Sequence, residues 1–165
     1  MRFPQLNFAD PGAGLDDAQM LRFEQQVAAS LDEVFAFFSD PANLQALTPP
    51  WLHFQIVETP PALAAGALIR YRLRLHGVPI DWCTRIEQWQ PQVRFVDIQL
   101  AGPYRLWHHT HEFEALPDGG TLVRDVVHFK VPFGPLGELA RRALVQPDTE
   151  KIFDYRFAEI ARRFG

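Results

Sequence analysis

Apolar and polar residues alternate along most of the chain after residue 67. Over 68–76, Ile69, Tyr71, Leu73 and Leu75 form one set and Arg70, Arg72, Arg74 and His76 the other, the period-two pattern of a half-buried strand. Ile80, Trp82, Thr84 and Ile86 form the inner set of the next strand. A two-residue loop at Gly77-Val78, with Gly first as type II′ turns prefer, opposes Leu75 to Ile80, Leu73 to Trp82 and Arg74 to Asp81. After Gln90-Pro91-Gln92, strand 93–100 is predicted to turn Val96, Ile98 and Leu100 inward and Asp97 and Gln99 outward. A two-residue turn at Gly102-Pro103 then sets Ile98 opposite Trp107 and Val96 opposite His109. Strand 104–114 thus turns Arg105, Trp107, His109, His111 and Phe113 inward. Strand 121–131 carries Val123, Asp125, Val127, Phe129 and Val131 on one face. A three- or five-residue loop centred on Asp118, with Gly119 or Gly120 at positive φ, pairs His111 with Asp125.

Before and after these strands the pattern changes. Leu21 to Ala29 reads as a first strand, and Ser30-Leu31-Asp32-Glu33 as a capping box opening a helix with Val34, Phe35, Phe37 and Phe38. Asp40-Pro41 restarts a second short helix, which ends before Thr48-Pro49-Pro50. Six strands follow Trp51. Near the C-terminus, Leu136, Leu139, Ala140, Ala143 and Leu144 form one helical stripe and Phe153, Phe157, Ile160 and Phe164 another. Pro147 is expected to interrupt the helix between them and Asp148 to cap its restart. The order is strand, two helices, six antiparallel strands and a long helix, an α+β plan with helices over one sheet face. Residues 1–19, rich in Gly, Pro, Asp and Ala, read as an N-terminal arm and 20–165 as one domain, with Pro132 to Gly137 as a rim loop.

Composition narrows the function. The chain has 165 residues, long enough for one real core, and its net charge of −4 argues against nucleic acid, whose binders carry a basic excess. The 14 Phe, 4 Trp and 3 Tyr suit either a thick core or the lining of a cavity. Cys83 is the lone cysteine, which excludes an internal disulfide and a cysteine zinc cluster. No apolar run is long enough to span a bilayer, and Met1 to Gly14 lacks the pattern of a signal peptide, so a cytoplasmic setting is expected. Phosphate-binding glycine motifs and a nucleophile elbow are absent from the sequence.

Several segments carry a family likeness: 34–44 (VFAFFSDPANL), 47–52 (LTPPWL), 107–113 (WHHTHEF), 120–125 (GTLVRD) and 152–156 (IFDYR). With them, residues 20–164 resemble the START-like (SRPBCC) superfamily of Bet v-type allergens, polyketide cyclases and lipid-transfer domains. The resemblance implies a helix-grip fold: a curved seven-stranded antiparallel sheet wrapped around a long C-terminal helix, with two short helices after the first strand. It also implies an internal cavity for a small hydrophobic or aromatic molecule. One fold hosts many functions, so the activity must come from the site.

His109 and His111 alternate on a strand and so share a face, about 7 Å apart at Cα. On the inner face they join Asp125, Tyr71, Thr84 and Arg105. Three readings stand. His111 and Asp125 satisfy each other inside the core, because an unpaired buried donor costs about 1–3 kcal/mol. Alternatively, they hold the polar end of an apolar ligand. Or they form a catalytic acid–base pair in which Asp125 orients the imidazole, as a cyclase or dehydratase would need. The expected lining comprises the aromatic residues Phe35, Phe38, Trp82, Trp107, Phe129, Phe153 and Phe157, together with Tyr71, Thr84, His109, His111 and Arg156. His-x-His plus Asp125 is a conceivable three-ligand metal set, but the third ligand rests on register and the resemblance rarely implies metal. No metal and no cofactor are expected. His108 and His128 read as solvated on the outer face, and the Arg70, Arg72, Arg74 and Arg85 ladder as a mixed-charge surface with Asp81, Glu87, Asp97 and Glu112. A weaker reading makes the apolar concavity a groove for a partner chain; the sequence leaves oligomeric state open.

Overall fold

The structure, a computed structural model, describes residues 14–132 and 145–165. Seven antiparallel strands form one sheet: β1 (Gln19–Val27), β2 (Gln55–Glu58), β3 (Leu68–Leu75), β4 (Val78–Gln90), β5 (Arg94–Ala101), β6 (Leu106–Ala115) and β7 (Thr121–Lys130). Their spatial order is β1-β7-β6-β5-β4-β3-β2, so only the β1–β7 pairing joins strands distant in sequence. Helix α1 (Leu31–Ser39) and two 3-10 turns, Pro41–Leu44 and Pro50–Leu52, lie between β1 and β2, and α2 (Gln146–Phe164) closes the chain. This is a helix-grip fold. Among the described residues, no helix is long and apolar enough to cross a membrane.

Local chemistry accounts for the helix starts. The Ser30 side chain accepts from the Glu33 amide while Glu33 reaches back to the Ser30 amide, the reciprocal capping box. Asp40 accepts from Ala42 N and Pro41 takes the first position of the 3-10 turn, where a missing N–H costs nothing. Pro147 sits in the first turn of α2, where it is likewise tolerated. Asp148 does not cap that helix; its carboxylate meets His76 Nε2 at 2.6 Å. The expected stripe at Leu136 to Leu144, and the rim loop beyond Pro132, lie outside the described residues.

Two registers differ from the expected ones. The β3–β4 hairpin turns at His76-Gly77, both at positive φ (50° and 81°), as a type I′ turn requires. The pairing slips by two residues, so Leu73 faces Ile80 and Arg72, instead of Arg74, faces and bonds Asp81 at 2.7 Å. An even slip keeps every side chain on its face. At β5–β6 the slip is odd: Ile98 pairs with His108 and Asp97 with His109. Phe95 and Asp97 therefore face inward and Val96 and Ile98 outward, reversing the expected faces of β5. The inward odd-numbered face of β6 still holds, because the mistaken turn and the mistaken β5 face cancelled. β4 also bulges between Ile86 and Gln88, which brings both Ile86 and Trp89 inside. The β6–β7 loop spans five residues with Gly119 at φ 89°, and His111 pairs with Asp125 as expected.

Inside the sheet, two apolar clusters are stacked along the strands. One joins α1 to Phe95, Phe113, Val123 and Ile160; the other joins Val127, Phe129 and Phe153 with Phe23 and Trp107 beside them. Helix α2 contributes Thr149, Phe153, Arg156 and Ile160, one buried stripe at three- and four-residue spacing.

Candidate functional site

A polar layer lies between the two clusters and crosses four elements. On β7, Asp125 falls between Val123 and Val127; on α2, Arg156 falls between Phe153 and Ile160; on β6, His109 and His111 fall between Trp107 and Phe113. Asp97 follows Phe95 on β5. Each strand supplies its polar residue at even spacing from its apolar neighbours, so all point to the concave side.

Asp125 is fully buried and anchors the layer. Its Oδ1 accepts from His109 Nε2 at 2.9 Å, lies 2.8 Å from His111 Nδ1, and is 3.4 Å from an Arg156 Nη. The opposite edges of both imidazoles face Asp97. Its Oδ2 is 2.8 Å from His111 Nε2 and 3.6 Å from His109 Nδ1. The two rings lie with centroids 3.8 Å apart at a tilt of 38°, and Phe95 stacks on His111 at 4.2 Å. Arg156 lies over the faces of Phe38 and Phe153 and comes within 3.3 Å of His111 Nδ1.

The protonation states follow from this geometry. Burial pushes the Asp125 carboxyl up, but Arg156 and the two histidines together hold it well below the usual carboxylate range. Asp97 is likewise pushed up by burial and brought below its ordinary value by His111, His109 and Arg156. Burial lowers His109, the charge of His111 lowers it further, and Asp125 only partly offsets both. His111 is also depressed by burial, yet the two carboxylates on either side outweigh this and raise it. Two carboxylates thus face Arg156 and a readily protonated His111, a balance that allows charges to stay buried.

The layer forms one wall of a cavity of about 210 Å³ between the sheet, α1, the 3-10 turns and α2. Of the expected lining, Phe38, Tyr71, Trp82, Thr84, Trp107, His109, His111, Phe153 and Arg156 reach it. Phe35, Phe129 and Phe157 do not. Phe35 packs on Trp89 and Phe113, Phe129 is buried in the second cluster, and Phe157 lies edge-on to Phe23. Asp125 stands behind the histidines and outside the lining, whereas Asp97, missed because of the odd register, is part of it. Arg105 is exposed instead of sharing the inner face, and His108 and His128 are half-buried and face each other across the convex side. A second polar point sits on β3 and β4, where Thr84 Oγ1 accepts from Trp82 Nε1 at 3.1 Å and meets Tyr71 Oη at 3.3 Å. Also unforeseen were Tyr104 and the 3-10 residues Leu44 and Leu52; loop residues carry no period from which a facing could be read.

A curved sheet gripping a terminal helix around an apolar cavity with one charged wall defines a START-like domain. The chain belongs to the family described as polyketide cyclase / dehydrase and lipid transport, whose model matches residues 20–165. Solved structures agree in fold. An aromatase/cyclase from Streptomyces sp. R1128 superposes with a TM-score of 0.71 at 16% identity, covering 88% of this chain and 92% of that one. A protein of Thermus thermophilus gives 0.70 at 18% identity over 88% and 96%. A START superfamily protein from Mycobacterium smegmatis gives 0.66 at 13% identity over 87% and 97%. A search of curated protein sequences found no match.

Proposed function

We propose that the domain binds a small aromatic or otherwise apolar molecule in this cavity, with the molecule's polar end held by Asp97, His109, His111 and Arg156. The observation that carries the reading is the gathering of Asp97, His109, His111 and Arg156 on one wall of a mostly apolar cavity, whose lining also includes Asp40 and Asp148. Size sets the class of cargo. A cavity near 150 Å³ accepts benzene, so 210 Å³ suits a molecule of one or two rings better than a long acyl chain. The buried lone thiol of Cys83 suits a cytoplasmic setting.

A second reading is an enzyme of cyclase or dehydratase type acting on the same cargo. It is favoured by the family's description and by an imidazole held between two carboxylates at the cavity wall.

Native mass spectrometry of freshly purified protein tests the binding reading: a co-purifying small aromatic or apolar species is expected, released by denaturation. Loss of uptake of such molecules by Arg156→Met, with the fold retained, is the matching result. An empty protein that also fails to take up any member of an aromatic acid and phenol panel would sink it. For the second reading, His111→Gln keeps the size and hydrogen bonding of the side chain. Equal turnover of the cargo by this variant and the wild type would remove the imidazole from any chemistry.

A further inference from the structure

We propose that Asp97, His109 and His111 form a binding site for a divalent transition-metal ion, with Asp125 as the residue that orients both imidazoles. Three donor residues converge from two adjacent strands: Asp97, His109 and His111 each offer a ligand atom, all within 4.8 Å of one another, and Asp97 Oδ2 faces both His111 Nε2 and His109 Nδ1. Two of their separations are 2.8 and 3.6 Å. Ligand bonds of about 2.0–2.1 Å at tetrahedral angles place donor atoms roughly 3.3 Å apart, close to both of these separations.

The stronger observation lies behind the donors. A metal-bound histidine almost always gives its remote ring N–H to a carboxylate or carbonyl, which fixes the tautomer and aims the free lone pair. Here both remote nitrogens, His109 Nε2 and His111 Nδ1, lie 2.9 and 2.8 Å from the same Asp125 oxygen. Asp125 is fully buried, so that arrangement is held by the core. An ion seated there takes the place of the proton between His111 Nε2 and Asp97; with both remote nitrogens protonated, the lone pairs of two neutral imidazoles then point at it.

Chemistry selects the ion. Two imidazoles and one carboxylate favour zinc, iron(II), cobalt or nickel over magnesium or calcium, which take oxygen. All three donors line the cavity while Asp125 does not, so the remaining coordination positions open toward the cargo. With the ion in place, two carboxylates, Arg156 and the dication sum to +1, which an anionic oxygen of a bound molecule completes. This last consequence rests on the cargo reading; the metal site itself does not.

Titration of metal-free full-length protein with Co²⁺, without cargo, tests the site. One equivalent is expected to bind with the intense visible d–d bands of a low-symmetry four- or five-coordinate ion, and Zn²⁺ should displace it. Asp97→Asn, His109→Gln and His111→Gln should each lower affinity at least about 100-fold, and Asp125→Asn roughly 10- to 100-fold with the bands kept. His108→Gln and His128→Gln on the convex face should change nothing. Nitrogen NMR of wild-type imidazoles provides a readout independent of variant folding: under Zn²⁺, only His109 Nδ1 and His111 Nε2 should move to metal-bound shifts. Absence of stoichiometric binding, or metal shifts at His53, His76, His108 or His128 in place of these two, overturns the proposal. Because no cargo is present, that failure is distinct from failure of the binding reading.

Discussion

At the residue scale, Asp125 is the group on which the polar layer depends. It has no solvent contact, and one of its oxygens serves two imidazoles and a guanidinium. Removing it leaves Arg156 buried without its carboxylate partner, and breaking one side of a buried charged pair typically costs about 3–5 kcal/mol. Asp125→Ala is therefore expected to destabilise the domain by that order in denaturant unfolding, with an unchanged m-value. Arg156→Met should cost less, since its apolar stem replaces part of the contact with Phe38 and Phe153 and the histidines still serve Asp125. A smaller loss for Asp125→Ala than for Arg156→Met would contradict this ordering. Most of the layer was legible in the sequence: the alternation of β6 and the loop centred on Asp118 brought His109, His111 and Asp125 together. Asp97 was not. Its facing depends on whether the turn after Ala101 holds an even or odd number of residues, and Gly102-Pro103 fits either. Side-chain period is two, so an error of one residue moved a carboxylate from the cavity to the solvent face, while an error of two at His76-Gly77 moved nothing across the sheet.

At the scale of elements, the fold is held at its joints by devices that act locally. Replacing Ser30 with Ala removes the cap of α1 and should cost about 1 kcal/mol, measured by thermal or chemical unfolding. Neighbouring glycines in the β6–β7 loop should respond for different reasons. Gly119 lies at φ 89° with open space around it, so Gly119→Ala bears only the conformational cost of about 1–2 kcal/mol. At Gly120 a Cβ would meet the Val27 carbonyl oxygen at 2.5 Å. That contact is with backbone at the end of β1, so relief requires moving a strand that closes the sheet. Gly120→Ala is expected to lower the melting temperature and to loosen the β1–β7 pairing, seen as faster hydrogen exchange at Gln25 and Val27. Gly119→Ala should leave that exchange local to the loop. The turn glycines were readable from the sequence; that Gly120 abuts a strand some ninety positions earlier was not, because only the β1–β7 pairing brings them together.

At the scale of the whole molecule, the cavity and the packed core share part of their walls: Phe37, Phe38, Phe95 and Phe153 line the one and belong to the other, whereas Leu73, Leu75 and Ile80 line the cavity only. The two apolar clusters pack α1 and α2 against the sheet, while the cavity occupies the space near β3, β4 and the 3-10 turns that neither helix fills. Element order, strand count and the alternation of β6 and β7 foretold an inward face larger than one helix could cover. They did not foretell which aromatics would close on one another and which would line the space; Phe35 and Phe38 differ by three positions on α1, yet only Phe38 reaches the cavity. The part of the lining that belongs to neither cluster predicts that the cavity can be filled without unfolding the protein. Ile80 lines it from β4 and is only partly buried, so a larger ring there enters free volume in place of packed core. Overpacking a filled core costs about 1–3 kcal/mol, whereas Ile80→Trp should stay below roughly 1 kcal/mol in denaturant unfolding. The same variant should lose at least tenfold in affinity for small aromatic ligands in a fluorescence titration, because the added indole competes for a volume that holds one or two rings. Co²⁺ uptake should survive, since Asp97, His109 and His111 stand on β5 and β6. If Ile80→Trp instead unfolds the domain while the wild type takes up no ligand, the space is a packing defect and cargo does not enter there.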